Sequence, residues 1–377
     1  MRVSKIAALA FAGALVWSCA ALAQTYDDGY KLSQDGYDEA ANKIWLALAA
    51  EGHVLSMIEI GAAYAYGYGV EIDMAESFRF FEMAAKAGDA SAQYSVGLLY
   101  ARGSGVEQDK TKAAEWYQLA VDQGYADAIG NLAYLYSVGE GVELDLERFV
   151  SLNQQGAELG HAMSLNNLGY AYEYGEGVRR DYTRAFGYYM SAAKLGDAHG
   201  QANVGLAYRF GRGVERDFEQ AAYWLERGAE LGIVRAQYSI AELYYAGSGL
   251  EKDISKAIYW YEKVALESER FRDVLSVLGD IYSNDEDGVR DDVKAEYWYL
   301  LAARDGRQDA MSGLAAIFEN PQSTEQDLVR AYMWHSMVSG AAGWMQKVKL
   351  QAFLTPEEIE TALEMAETCE LSGFLDC

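Results

Sequence analysis

Four histidines, three cysteines, one serine–lysine pair and one acidic loop are the places where this 377-residue chain could do chemistry. An imidazole binds metal or moves a proton when Cys, Asp, Glu or a second His stands at helical spacing from it. His53, His161, His199 and His335 have no such recurring neighbours and no HExxH is present, so they read as solvated or half-buried side chains. Ser191-Ala192-Ala193-Lys194 sets a hydroxyl and an amine one helical turn apart, a spacing suited to a lysine-activated nucleophile. No Lys-Thr-Gly accompanies it, so the match reads as chance. Ser283 to Asp292 is the densest acidic stretch. With Gly288 in the sixth place of a calcium loop, the first and twelfth places hold Ser283 and Lys294 instead of Asp and Glu, so it reads as a solvated turn. The residues therefore predict no catalytic site, no metal and no cofactor.

The cysteines depend on where the chain resides. Arg2 and Lys5 precede an apolar run, Ile6 to Trp17, of twelve residues. A membrane-spanning helix needs ~20. Ala21-Leu22-Ala23 then has the small-x-small pattern of a signal-peptidase site. Residues 1–23 are expected to be a cleaved signal peptide, leaving a periplasmic or secreted chain with no transmembrane span. The alternative is a lipoprotein cut and acylated at Cys19, a pattern that Trp17 fits poorly. Cleavage leaves Cys369 and Cys377 in an oxidising compartment, where a short C-terminal disulfide is expected; two free thiols are the other reading.

Charge narrows the partners. Lys plus Arg is 31 against 57 Asp plus Glu, a formal net charge of −26. Such a field repels phosphate, which argues against nucleic acid or anionic lipid as the main partner and favours a basic or neutral one. Two prolines leave room for long helices, and a hydrophobic fraction of 51% argues against disorder.

The elements that would position any site follow from a repeat. Gly67-Tyr68-Gly69-Val70 returns at Gly103, Gly139, Gly175, Gly211 and Gly247, each 36 residues on. The same step carries Tyr64, Tyr100, Tyr136, Tyr172, Tyr208 and Tyr244, and Asp73, Asp109, Asp145, Asp181, Asp217 and Asp253. Within a copy, Ala92, Val96, Gly97 and Tyr100 form the stripe of one amphipathic helix, and Ala113, Trp116, Tyr117 and Ala120 that of a second. Gly103 and Gly105 stop the first helix in left-handed dihedrals, Asp109 caps the second, and Gly124 ends it. One such hairpin cannot bury both faces, so the hairpins must stack into an all-α solenoid.

These motifs identify the chain as similar to the Sel1-like repeat family, a relative of the tetratricopeptide repeat. The carrying residues are Ala92 to Val106, Asp109, Lys112-Ala113 and Trp116-Tyr117 with their counterparts. The resemblance implies a superhelix with a concave groove lined by the first helices. It divides the chain into an N-terminal half-repeat or cap (24–52, one helix with Trp45), six regular repeats (53–268), two divergent repeats (269–343) and a C-terminal capping helix and tail (344–377). Glu267 to Asp273 interrupts the array. The seventh copy replaces Gly-x-Gly with Asn284 to Gly288, and the eighth with Asn320-Pro321-Gln322-Ser323.

On the first helices, the positions five before, two before and two after the repeat tyrosine form one strip. In the central repeats it presents Asn131, Asn167 and Asn203, flanked by Tyr134, Tyr170, Tyr174 and Phe210. Asn offers a donor and an acceptor to an extended backbone, and exposed aromatics anchor a partner at low entropic cost. The same residues could instead bond between helices and fill the groove. The expected function is a non-catalytic adaptor or scaffold of the bacterial envelope that binds a protein or peptide on this strip. The alternatives are a β-lactamase-like or penicillin-binding enzyme, as in a cysteine-rich branch of the family, and a cell-wall glycan binder. This chain lacks that branch's paired cysteines within the repeats.

Overall fold

The protein is described by a computed structural model covering residues 25–286, 288–321, 327–375 and 377. The signal-peptide segment, Cys19, and Gln322-Ser323 of the eighth loop lie outside the described residues. Every regular element among the described residues is helical. Residues 25–34 form α1, followed by α2 (Asp38–Ala50). The regular repeats supply α3 (Val54–Tyr66), α4 (Met74–Lys86), α5 (Ala90–Arg102), α6 (Lys110–Asp122), α7 (Ala126–Val138), α8 (Leu146–Glu158), α9 (Ala162–Tyr174) and α10 (Tyr182–Lys194). They continue with α11 (Ala198–Phe210), α12 (Phe218–Glu230), α13 (Val234–Ala246) and α14 (Ile254–Glu267). The divergent part holds α15 (Asp273–Ser283), α16 (Asp292–Arg304), α17 (Gln308–Glu319), α18 (Leu328–Met337), α19 (Gly340–Leu350) and α20 (Pro356–Leu371).

The helices group into two compact units, Met1–Asp197 and Ala198–Cys377. Within each, successive helices pack on one another, from α2 to α10 in the first and from α11 to α19 in the second, as a stack of hairpins requires. The repeat columns account for the local structure. Each capping aspartate, from Asp73 to Asp253, takes extended dihedrals and accepts one or two backbone N–H bonds of the first turn. Asp291 and Asp327 do the same in the divergent repeats, where the glycine pair is missing. Gly97 has a packing reason: a Cβ there would lie 2.5 Å from Cδ1 of Tyr117, so only hydrogen lets the second-helix tyrosine ring lie against α5. Tyr117 is 2% exposed, and burial raises its phenol pKa well above the ordinary value.

One contact was not legible in the repeat. The second loop glycines Gly69, Gly105, Gly141, Gly177 and Gly249 sit on the backbone that opens the second helix of the preceding repeat or half-repeat. A Cβ on Gly141 would lie 2.2 Å from the carbonyl carbon of Lys110, and one on Gly177 2.2 Å from the carbonyl oxygen of Leu146. Lys110 Nζ also pairs with Glu140 Oε2 across this junction at 3.0 Å. The loop is thus an inter-repeat joint as well as a helix stop.

Both ends carry more structure than the repeat pattern implies. The N-terminal piece is a hairpin and not a lone helix: Tyr26 of α1 donates to Glu59 Oε1 at 2.8 Å and lies against Trp45. Gly29 interrupts any apolar stripe in α1, which hides the helix in sequence, yet a Cβ there would meet the Trp45 ring at 2.6 Å. The C-terminal piece has two helices where one was expected. α20 opens with a capping box between Thr355 and Glu358 and, like α19, packs on α18. Cys369 and Cys377 are joined by a disulfide, and Phe374 between them stacks on buried Trp334. The interruption at Glu267 to Asp273 holds a short 3-10 turn, Glu269–Phe271.

Candidate partner-binding face

In the first unit, α3, α5, α7 and α9 are the first helices of successive repeats. Their core stripes are buried, leaving the strip positions half-buried or exposed. Tyr134 is 54% exposed, Tyr170 42% and Tyr174 52%. The rings of Tyr170 and Tyr174, one turn apart on α9, have centroids 4.5 Å apart. Partial burial raises the Tyr170 pKa, and the carboxylate of Glu176 beside it raises it further. Both rings are apolar in body and hydroxyl-tipped, suited to packing on a partner.

The asparagines are placed differently. Asn131 donates from Nδ2 to Tyr94 Oη of the preceding repeat at 3.2 Å. Asn167 donates to Oδ1 of Asn153 at 3.1 Å, and Asn153, fully buried on α8, donates in turn to the Phe149 carbonyl at 2.8 Å. Both asparagines thus join neighbouring helices, and each keeps its amide oxygen for another donor. The second unit holds Asn203 and Phe210. Asn203 accepts from Arg235 Nη2. Phe210 is exposed and has guanidinium groups over its ring, Arg209 at 5.1 Å and Arg212 at 5.2 Å.

The strip columns also line a cleft outside the central repeats. It measures about 190 Å³ and lies between the first two regular repeats. Tyr66, Ser95, Leu98 and Arg102 bring all three columns to it, and Phe81 and Ser77 line it from α4. The Ser77 hydroxyl is buried without a hydrogen-bond partner among the described residues. A sequence signal existed: Ser77 is the one hydroxyl in a column that reads Ala113, Phe149, Ala185, Ala221 and Ala257 in the other regular repeats.

The remaining chemical candidates fall into structural roles. His53 Nδ1 caps α3 by accepting from the Ser56 N–H at 3.3 Å. His161 lies 3.4 Å from Asp127, and His335 meets Glu319. Ser191 is exposed and its hydroxyl donates to the Gly187 carbonyl at 2.9 Å. In the acidic loop Arg290 pairs with Asp285 and Asp292, at 2.8 and 2.9 Å. Among the described residues no cluster of His, Cys, Asp or Glu could hold a metal ion, and no helix is long and apolar enough to cross a membrane.

Stacked helical hairpins with a left-handed glycine, a capping aspartate and a glycine–tyrosine helix contact define a helical-repeat solenoid. The Sel1 repeat model matches eight times, at residues 54–89, 90–125, 126–161, 162–197, 198–233, 234–267, 275–306 and 308–337, so the chain belongs to the Sel1 repeat family. It is similar to the crystal structure of a Sel1 repeat protein from Oxalobacter formigenes, with 28% identity and TM-score 0.60 over 64% of this chain and 96% of that one. It is also similar to c5321, a protective antigen of uropathogenic Escherichia coli strains displaying an SLR fold. There the identity is 26% and the TM-score 0.61, over 95% of this chain and 86% of that one. Among curated proteins no match is found.

Proposed function

We propose that this protein is a non-catalytic adaptor of the bacterial envelope that holds a protein or peptide segment along the first-helix strip. The observation that carries the reading is the row of half-exposed tyrosines Tyr134, Tyr170 and Tyr174, continued by the Tyr66–Leu98–Arg102 cleft. Aromatic side chains left on one face of a stacked array, while their own repeats are otherwise well packed, are what a partner-binding surface offers. The cleft is sized for a single large side chain, and the unpaired Ser77 hydroxyl within it offers a polar contact to an entering group. The acidic surface favours a basic or neutral partner and speeds its encounter. The apolar leader with its small-x-small end supports export, and a relative described as a protective antigen fits an envelope role.

The test immobilises the mature chain, residues 24–377, and challenges it with envelope extract at low and moderate salt. Tyr134→Ser/Tyr170→Ser/Tyr174→Ser is the comparison, because these rings carry little of the fold. A partner captured by the wild type and lost by the triple variant supports the reading. Equal capture by both refutes the strip, and retention of cell-wall fragments alone replaces the adaptor with a glycan binder. Asn167→Ala is unsuitable here, since it removes the donor that satisfies the buried Asn153 oxygen.

A further inference from the structure

The loop that opens α10 carries a charge pattern found in no other regular repeat. The residue after the loop valine or leucine is Glu71, Glu107, Glu143, Glu215 and Glu251 in five repeats, but Arg179 in the fourth. The next column reads Ile72, Gln108, Leu144, Arg180, Arg216 and Lys252, and the third helical position reads Glu76, Lys112, Arg148, Arg184, Gln220 and Lys256. Only the fourth repeat has a cation at all three. These three arginines line one cavity of about 460 Å³ together with Tyr172, Val178 and Asp181.

The guanidinium groups are under-used. Arg179 is exposed and makes no ion pair or hydrogen bond among the described residues. Among the described residues Arg180 has only the Tyr182 ring, 5.6 Å from its guanidinium carbon. Arg184 reaches Asp181 at 3.5 Å and the Tyr172 hydroxyl at 3.4 Å, both long, and lies over the Tyr172 ring. Asp181, the one acidic side chain in the lining, is occupied as the α10 cap, accepting from the N–H groups of Thr183 and Arg184 at 3.0 Å each. The lining therefore carries a net charge of two positive units, in a chain whose overall charge is −26. The positive end of the α10 dipole adds to it.

The geometry points to a binding site for a phosphate dianion in this cavity. Three guanidinium groups from three chain positions match a tetrahedral oxyanion, whose oxygens point in different directions, better than a single carboxylate, which one Arg fork satisfies. A charge of two negative units would neutralise the lining. The site is independent of the tyrosine strip, and its failure would leave the adaptor reading untouched.

The test titrates the mature chain with inorganic phosphate by calorimetry and, in a second arm, with phosphatidic acid vesicles against phosphatidylcholine vesicles. The comparison variant is Arg179→Glu/Arg180→Gln, which restores the sequence of the second repeat and leaves Arg184 on Tyr172. The wild type is expected to bind one phosphate, more weakly as NaCl rises, and the double variant to bind at least ~10-fold more weakly with an unchanged thermal midpoint. Binding in the vesicle arm as well assigns the phosphate to a lipid headgroup; binding of the free ion alone assigns it to a soluble ligand. Equal phosphate affinity in both proteins, no binding by the wild type, or preference for an oligo-glutamate peptide over phosphate overturns the proposal.

Discussion

Gly139 and Gly141 stand in one loop with nearly the same backbone, φ of 70° and 72°, yet they should respond very differently to alanine. A left-handed L-residue costs about 1 kcal/mol, slightly offset by the reduced freedom of the unfolded chain. At Gly139 that is nearly the whole effect: the added Cβ meets Leu144 Cβ at 3.3 Å and its backbone nitrogen at 3.4 Å, contacts that a shift of a few tenths of an ångström relieves, so Gly139→Ala should cost about 1 kcal/mol. At Gly141 the Cβ would lie 2.2 Å from the carbonyl carbon and 2.4 Å from the carbonyl oxygen of Lys110, in the first turn of α6. Backbone cannot rotate away, so the joint between the second and third repeats must open. Overpacking of this kind adds ~1–3 kcal/mol, giving about 2–4 kcal/mol for Gly141→Ala. The difference between the two variants isolates the inter-repeat contact from the dihedral cost. Urea unfolding followed by far-ultraviolet circular dichroism measures it, and native-state hydrogen exchange should show the loss concentrated in α5 to α8. Destabilisation of the two variants equal to within about 0.5 kcal/mol would refute the joint.

Other consequences are as open to measurement. Asp145→Ala removes the bond from the Arg148 N–H, 2.8 Å long, and should cost about 1 kcal/mol in urea melts, with Asp145→Asn recovering most of it. Cys369→Ser opens a link between residues eight apart and should destabilise the C-terminal cap by ~2–3 kcal/mol, seen as faster exchange in α20 and α18. Asn167→Ala should cost ~1–3 kcal/mol because the buried Asn153 oxygen loses its donor, whereas Asn167→Ala in an Asn153→Leu background should cost much less. Burial, followed by Glu262, pushes the Tyr282 phenol up to about 12, so its contribution is full below the ordinary phenol pKa of 10 and is lost as pH rises towards 12. The buried phenols of Tyr117, Tyr261 and Tyr299 are raised as well, so stability should fall steadily above pH 10, with phenolate absorbance lagging until the chain unfolds.

Much of the fold was legible because each repeat column has a single local cause. The aspartate column needs only the geometry of a helix start, and the first loop glycine only the left-handed exit of the preceding helix. Periodicity repeated these signals six times, which removed the ambiguity a lone motif carries. α1 and α19 escaped because they lie outside the period and pack through residues such as Gly29 and Leu350 that form no stripe of their own.

The candidate site divides along the same line. Sequence by itself determined that the strip columns belong to one side of the first helices, because that follows from 3.6 residues per turn. It also contained the charge reversal at Arg179 and the hydroxyl at Ser77, both visible as breaks in a column. Which members of a column meet a neighbour was decided only by tertiary structure. Asn131 and Asn167 are bonded to Tyr94 and Asn153 because of the distance between adjacent helices, while Tyr134 and Tyr170 remain exposed on the same face. The second loop glycines, Gly141 and Gly177 among them, became inter-repeat joints for the same reason. Residues 31 positions apart in sequence, Lys110 and Gly141, come into contact only when hairpins stack, and no local rule contains that distance.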